Sequence, residues 1–311
     1  MGPTPLIIDC DPGVDDAVAL LLAFASPDLI DILAVTTVGG NIDAASTARN
    51  ARIIRQIAGR EGVPVFAGAA APLVRSAVSA SAFHGETGLG DLEIFEPSTA
   101  LGFGEAASVI ADTVMHHAPG EVSIAVMGPM TNIALAMRKE PLLAARLRTL
   151  VVMGGAKREG GNITASAEYN FFADPDAADI VFRSGCRMAV IGLDATHQVR
   201  TTPRRLGLIG AINTPSARAA ARLLAFAAGV EPGEADDPGP PLHDPCTIAY
   251  LLAPDLFTSV PALIRVETSS PLTLGHSAVE FRGAGPDAAV RWVTKVDAEG
   301  LFGLLLERLA R

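Results

Sequence analysis

The chain contains few cysteines and lysines and carries an excess of acidic residues, and this composition argues against several classes of protein. Only three of its 311 residues are cysteines (Cys10, Cys186 and Cys246), and only three are lysines. The scattered thiols, without a CxxC or Cys/His spacing, fit a reduced compartment and argue against a zinc site or a disulfide framework. The formal net charge is −10, and no basic stripe is available to neutralise phosphates. We therefore expect no nucleic-acid partner.

Long apolar runs are also missing. The chain is 49% apolar with a mean hydropathy of +0.35, yet no run reaches the roughly 18 apolar positions of a membrane span. These values predict a globular protein of enzyme size, a single α/β domain over residues 1–311, with no membrane partner. Because the start of the chain lacks the basic segment of a signal peptide, we expect a cytoplasmic location.

Predicted strands and helices alternate along most of the chain. Helical periodicity fills most intervals between the strands, and one helix is predicted over 203–228. This alternation predicts an α/β fold with an open, mostly parallel central sheet and helices on both faces, a Rossmann-like arrangement. The segment 229–242 is acidic and rich in proline and glycine, which predicts a mobile, lid-like segment. Apolar runs indicate strands at 6–8, 32–38, 63–66, 122–127, 150–153 and 188–193, and near 263–267 and 289–296.

An acidic turn after the first strand is the strongest motif. Asp9, Asp11, Asp15 and Asp16 fall within eight positions, interrupted by a proline–glycine pair. This pair favours a turn, so the segment is predicted to be strand–turn–helix with Asp15 and Asp16 in the first helical turn. The helix dipole alone would favour acids at that point, but it does not explain Asp9 and Asp11 on the strand side. Carboxylates this close repel one another unless a cation or a proton intervenes.

The acidic turn therefore predicts a site for a hard metal ion. Carboxylates and backbone carbonyls, without thiolates or paired histidines, suit Ca²⁺ or Mg²⁺ and not Zn²⁺. Several carboxylates with a carbonyl suit Ca²⁺ in particular, because it takes roughly six to eight oxygens and leaves room for substrate hydroxyls.

Polar residues also follow other predicted strands, in Thr36–Asn41, Met127–Asn132 and Met153–Gly155. Ligands of parallel sheets bind beyond the carboxyl ends of the strands, so we expect these segments to meet the acidic turn at one site. Any one of them alone is weak evidence, because glycine and asparagine are ordinary loop residues.

Three further segments are candidates for the rim of that site. One, over 160–170, contains Asn162, Glu168 and Asn170 and is too polar for a core. Another is a histidine–aspartate pair at positions 243 and 244, where the aspartate could instead cap the following helix. The third is a histidine at position 84 in a glycine-rich loop, which could instead be an ordinary surface residue.

These residues resemble the inosine–uridine-preferring nucleoside hydrolase family. Asp9–Asp16 looks like the N-terminal signature of that family, and the similarity covers nearly the whole chain. The acidic turn Asp9–Asp16, followed far downstream by His-Asp-Pro, is a combination specific to this family. The remaining matches occur in the family's order: Gly40-Asn41, His84-Gly85, Gly128–Asn132, Met153–Gly155, Asn162, Ala167–Asn170 and His243–Pro245.

The resemblance implies calcium-dependent hydrolysis of the N-glycosidic bond of ribonucleosides, and a homodimer or homotetramer. By position, Asp11, Asp16, Asp244 and the carbonyl of Thr131 would bind Ca²⁺, with Asp9 in support. Asp11 would also take a proton from the attacking water, and His243 is the candidate general acid toward the base. The remaining substrate contacts implied are Asp15, Asn41 and Asn170 at the 2′/3′ side of the sugar, Asn162 and Glu168 toward its 5′-hydroxyl, and His84 at the base.

The chain departs from the family in having no aromatic residue in 229–242, where many members carry a tyrosine; the nearest aromatic is Phe226. This departure leaves the preference between purines and pyrimidines open. Alternatives are a hydrolase of another N-riboside such as nicotinamide riboside, and a non-catalytic nucleoside- or ribose-binding relative. A phosphatase of the haloacid dehalogenase type also places Asp-x-Asp after its first strand, but it needs a lysine and continues differently after the second aspartate.

Overall fold

The computed structural model describes residues 2–230 and 239–311. Within these residues, nine strands form one sheet in the order β3-β2-β1-β4-β5-β6-β9-β7-β8. All strand pairs from β3 to β9 are parallel, whereas β7 runs antiparallel to both of its neighbours. The strands are β1 (Thr4–Cys10), β2 (Ile30–Thr37), β3 (Val65–Ala67), β4 (Ser123–Val126), β5 (Thr149–Met153), β6 (Met188–Ile191), β7 (Phe257–Val266), β8 (Ser277–Glu280) and β9 (Val290–Val296).

Helices cover both faces of this sheet. No described helix combines the length and the apolar character that a membrane crossing requires. In chain order the helices are α1 (Val14–Phe24), α2 (Ala44–Ile57), α3 (Ser81–His84), α4 (Ala106–His116), α5 (Thr131–Lys139), α6 (Leu143–Arg146), α7 (Tyr169–Ala173), α8 (Pro175–Arg183), α9 (Leu193–Thr196), α10 (Pro203–Gly210), α11 (Pro215–Val230), α12 (Pro245–Leu252) and α13 (Ala298–Leu309).

The first strand shows why the sheet is covered on both sides. Successive side chains of a strand point to opposite faces. Leu6 and Ile8 accordingly join the core formed with α1, α2, α11, α12 and α13, while Ile7 joins the core formed with α4, α5 and α8. All three side chains are fully buried. A continuous apolar run is what a strand buried on both faces requires, so the predicted parallel α/β sheet is confirmed.

Strand β1 lies where the strand order reverses, with β2 on one side and β4 on the other. In its register Cys10 pairs with Thr37, and Asp9 pairs with Val126. The segments that follow these three strands therefore emerge together at the carboxyl edge of the sheet. Such a switch point is the common ligand position in open α/β sheets.

Several predicted elements differ from the structure. The helix predicted over 203–228 is two helices, because Pro215 starts a new one and the Thr214 hydroxyl accepts from the Ala217 amide at 3.1 Å. Strand β8 was not predicted, and β3 covers Val65–Ala67 instead of 63–66. Of the lid-like segment predicted over 229–242, residues 231–238 lie outside the described residues. Positions 229 and 230 belong to α11, and Pro241 forms an antiparallel bridge with Arg200.

Candidate active site

Asp11, the first residue after β1, is fully buried between two glycines. Its Oδ2 accepts from the Asn41 amide at 2.7 Å, whereas its Oδ1 has no hydrogen-bond partner in the described residues. A Cβ at Gly128 would lie 2.5 Å from Oδ1, and one at Gly40 would collide with Oδ2. The two glycines therefore let the backbone approach the carboxylate closely from both sides.

Asp16 joins the turn to the start of α1. Its Oδ1 accepts from the Asp11 amide at 3.1 Å, and its Oδ2 accepts from the Gly13 amide and from Asn41 Nδ2, both at 3.0 Å. The amides of Asp11 and Gly13 precede the first helical turn, so Asp16 closes the acidic turn onto its own helix. The predicted strand–turn–helix is confirmed, with Asp15 and Asp16 in the first turn of α1.

Carboxylate oxygens of Asp15, Asp16 and Asp244 all lie within 4.8 Å of one another. Asp244 occupies the N-cap position of α12 but makes no side-chain capping bond, so the alternative that it only caps the helix is wrong. The prediction assigned Asp11 to this cation group and Asp15 to the sugar, whereas the group that the structure brings within range contains Asp15. Asp11 lies alongside, hydrogen-bonded through its amide to Asp16.

The donor set suits a hard divalent ion. Burial, followed by repulsion from neighbouring carboxylates, raises the pKa of Asp11 and Asp244 well above the usual range and that of Asp16 to about 7. None of these aspartates forms an ion pair with a described arginine or lysine. A bound cation would offset the cost of burying these charges.

Thr131 and Asp9 support the cluster from within the fold. Thr131 is the first residue of α5, and its hydroxyl donates to Asp174 Oδ2 at 2.7 Å, which fixes the residue whose carbonyl is the predicted ligand. Asp9 Oδ1 accepts from Thr36 Oγ1 at 2.6 Å and from Asn132 Nδ2 at 2.8 Å. Burial raises the Asp9 pKa to about 7.

One cavity of about 330 Å³ opens above the cluster, within the range of roughly 300–1,000 Å³ typical of small-molecule sites. Asp11, Asp16 and Thr131 are buried and do not line it. All predicted substrate contacts and the histidine–aspartate pair do line it: Asp15, Asn41, His84, Asn162, Glu168, Asn170, His243 and Asp244.

Two amides line the cavity near the acidic cluster. Asn41 Nδ2 donates to Asp11 O at 3.1 Å and to Asp16 Oδ2, and Asn170 Nδ2 donates to Met127 O at 2.7 Å. Because the NH₂ groups are engaged by the protein, the amide oxygens are left as acceptors for hydroxyl groups of a ligand.

Glu168 and Asn162 form a second polar group. Glu168 is the N-cap of α7 and accepts from the amides of Gly155 at 2.9 Å and Asn170 at 3.0 Å. Asn162 Oδ1 accepts from the Tyr169 amide at 2.9 Å. Burial raises the pKa of Glu168 to about 6, although its three backbone donors act in the opposite direction.

The raised Glu168 pKa predicts a measurable effect on stability. The native state binds this proton more tightly than the unfolded state, so the stabilisation is complete below the ordinary value of 4.5 and is lost as pH rises through about 6. Between about pH 4 and pH 7.5, we expect the wild-type protein in chelator to lose about 2 kcal/mol more unfolding free energy than Glu168→Gln. Urea unfolding at both pH values tests this difference, which is insensitive to the lower absolute stability of the variant. Equal losses of unfolding free energy in the two proteins would contradict the raised pKa of Glu168.

Two imidazoles, His84 and His243, also line the cavity. His84 Nδ1 accepts from the Val14 amide at 3.0 Å, and burial lowers the His84 pKa. The ordinary surface role considered for His84 is therefore wrong. His243 Nδ1 lies 2.8 Å from Thr196 Oγ1, and burial lowers the His243 pKa to about 4.

Several residues that the sequence did not single out also line the cavity. One of them is aromatic, although the segment 229–242 contains no aromatic residue. Phe83 is 45% exposed and lines the cavity beside His84, and His197 lies with its ring centroid 5.8 Å from that of His243. Phe226 instead packs against the loop containing Gly85 and Gly90 and does not line the cavity. The position after β6, at the same edge of the sheet, was the available signal for His197. Arg200 is a further lining residue that the sequence did not single out, whereas the lining residues Met127, Met153 and Tyr169 belong to segments that it did.

Fold and site together define an α/β enzyme class in which a cavity carrying several polar side chains lies over a buried acidic cluster. The family model of the inosine-uridine preferring nucleoside hydrolases matches residues 6–303. The chain belongs to this family, which confirms the resemblance, and it is a nucleoside N-ribohydrolase.

Individual relatives agree with this assignment over their whole length. The inosine-uridine preferring nucleoside hydrolase of Crithidia fasciculata is 38% identical over 311 residues, covering 99% of this chain and 98% of the relative. The pyrimidine-specific ribonucleoside hydrolase RihA of Salmonella typhimurium is 41% identical over 309 residues, covering 98% of each. Among solved structures, the purine-preferring ribonucleoside hydrolase from Gardnerella vaginalis superposes with a TM-score of 0.91 at 30% identity over 98% of each chain.

Proposed function

We propose that the protein hydrolyses the N-glycosidic bond of ribonucleosides to free base and ribose, using a bound calcium ion, in nucleoside salvage or catabolism in the cytoplasm. The observation that carries this proposal is the set of polar groups that share one cavity. Carboxylates and amide oxygens, which suit a cation and a sugar diol, line it together with imidazoles, which suit a heterocyclic base. The relatives named above carry purine or pyrimidine specificity in their names, so both kinds of base are proposed as substrates.

The cation would be held by Asp11, Asp16, Asp244 and the carbonyl of Thr131, and the proximity of Asp15 adds a fifth oxygen source. When bound, Ca²⁺ supplies charge compensation and two positions for the vicinal hydroxyls of ribose. Asp15, Asn41 and Asn170 would accept hydrogen bonds from the 2′ and 3′ hydroxyls. Asn162 and Glu168 would receive the 5′ end of the sugar.

Asp11 is the proposed general base. Its Oδ1 is buried and lacks a protein partner, so that oxygen is available to accept the proton of an attacking water. Cleavage builds an oxocarbenium-like sugar, and the surrounding carboxylates would stabilise its positive charge. Among the residues lining the cavity, His243 and His84 would bind the leaving base, with the ring of Phe83 as its apolar wall.

The decisive experiment is a substrate panel. Purified protein with Ca²⁺ is expected to release ribose, measured as reducing sugar, from at least one of inosine, uridine, cytidine and adenosine. Nicotinamide riboside in the same panel tests the alternative N-riboside substrate. The Asp11→Asn protein, prepared identically, supplies the background. If no ribonucleoside yields ribose above that background, the proposed reaction is rejected; ribose from nicotinamide riboside alone would assign the alternative.

A further inference from the structure

One hydrogen bond determines how the ring of His243 is presented to the cavity. Its Nδ1 lies 2.8 Å from the hydroxyl oxygen of Thr196. Thr196 is fully buried and does not line the cavity, whereas His243 does. Because Nδ1 is engaged by a buried protein group, Nε2 is the ring nitrogen left for a ligand.

Backbone contacts fix the two partners relative to each other. The Leu242 amide, next to His243, donates to Val199 O at 2.8 Å, and the Val199 amide donates to Thr196 O at 2.9 Å. The start of α9 is tied to the site as well, since the Leu193 amide donates to Gly155 O at 2.9 Å. These backbone hydrogen bonds therefore hold Thr196 and His243 next to each other.

The direction of this hydrogen bond follows from counting hydrogens. A threonine hydroxyl carries one hydrogen and needs an acceptor for it when it is buried. In the part of the chain that the structure describes, the only hydrogen-bond partner of Thr196 Oγ1 is His243 Nδ1. If Nδ1 carried the ring hydrogen, the hydroxyl hydrogen would be buried without an acceptor, which costs free energy. The satisfied arrangement has Thr196 donating to Nδ1 and the ring hydrogen on Nε2.

We infer that Thr196 is a positioning residue that holds His243 in the Nε2–H tautomer, so that His243 presents a hydrogen-bond donor to the departing base. Ring nitrogens and carbonyl oxygens of purines and pyrimidines gain negative charge as the glycosidic bond breaks, and a donor at that position stabilises them. This role rests on the proposed function, whereas the tautomer itself is a property of the protein without substrate.

The tautomer can be measured directly by NMR on the full-length protein labelled with ¹⁵N-histidine. Two-bond ¹H–¹⁵N correlations distinguish a ring nitrogen that carries hydrogen from one that does not, and His243→Gln assigns the signal. In the wild-type protein we expect Nε2 to carry the hydrogen and Nδ1 to be the acceptor. Thr196→Val removes the hydroxyl at nearly constant shape and should shift the ring toward the Nδ1–H form, while Thr196→Ser should retain the wild-type pattern.

Kinetics test the consequence for catalysis. On whichever nucleoside the wild type cleaves, Thr196→Val should lower kcat about tenfold, the effect of one weakened hydrogen bond, with KM changed less than about twofold. Hydrolysis of 4-nitrophenyl riboside should change much less, because its leaving group is a stable anion that needs no donor. Thr196→Ser should restore most of the lost rate.

Thr201→Val is the matched control. Thr201 is also buried, and its hydroxyl has no partner among the described residues, so its removal should change neither the NMR pattern nor the rates. A wild-type ring with hydrogen on Nδ1, or a Thr196→Val protein indistinguishable from Thr201→Val, would overturn the inference. Nε2–H in a wild-type protein that hydrolyses no ribonucleoside would reject the proposed function, not the action of Thr196 on the ring.

Discussion

Replacing Asp11 with asparagine is expected to lower kcat by about 10²- to 10⁴-fold, the usual contribution of a general base. An amide cannot take a proton from water, and it also brings one charge fewer to a cation. The shape of the residue is nearly unchanged, and Oδ2 can still accept from the Asn41 amide. The fold should therefore persist, which circular dichroism and thermal unfolding would check alongside steady-state rates.

The control for Asp11→Asn is the same substitution at Asp31, an exposed residue of the neighbouring strand β2. Asp31→Asn removes a carboxylate from the same sheet at a position that does not line the cavity, so the rates of this variant should match those of the wild type. If Asp11→Asn retained wild-type turnover while still folded, the proposed base would be wrong. Loss of activity that excess Ca²⁺ restores would assign Asp11 to ion binding instead.

Removing calcium is expected to abolish turnover and to destabilise the fold. Burial, followed by repulsion from neighbouring carboxylates, raises the pKa of these aspartates, so the native state gains from a divalent ion that the unfolded chain binds weakly. At a free ion concentration of about 1,000 Kd, that linkage stabilises the native state by about 4 kcal/mol. Activity and the melting temperature should fall together in a calcium chelator.

Metal specificity supplies the control for this second prediction. Added Ca²⁺ should restore both activity and melting temperature, and Mg²⁺ should restore them less well, because it holds its waters and requires a tighter octahedral shell. Asp244→Asn should weaken the response to calcium, whereas Asp31→Asn should leave it unchanged. A protein that contains no divalent ion by elemental analysis and is unaffected by chelator would refute the proposed calcium site.

Local patterns made the acidic turn and Asn41 predictable. The acidic turn joins β1 to α1 within a short stretch of chain, so alternation, the proline–glycine pair and helical spacing were enough to place Asp11 and Asp16. Asn41 follows β2, the strand beside β1, and the rule for parallel strand ends brought it to the same edge. In each case, contacts within one or two neighbouring elements decide the geometry.

The contacts of His243 and Asp244 could not be predicted in the same way. Thr196 and His243 are 47 positions apart, and nothing in either local sequence indicates that their side chains meet. The closeness of Asp15 to Asp244 depends likewise on how α1 and α12 pack, which spacing alone cannot resolve. The break before Pro215 was missed because apolar periodicity continues across it, although the proline was itself a signal for a helix start.

The glycines on either side of Asp11 have a consequence for how such an enzyme can diversify. Any side chain larger than hydrogen at position 40 or 128 would displace the carboxylate, so mutations there are expected to be lost with the activity. Phe83 and His197 also line the cavity, and their replacement leaves that backbone contact intact. Side chains of this kind can therefore vary, in the laboratory or by descent, while the close approach of the backbone to Asp11 stays constant.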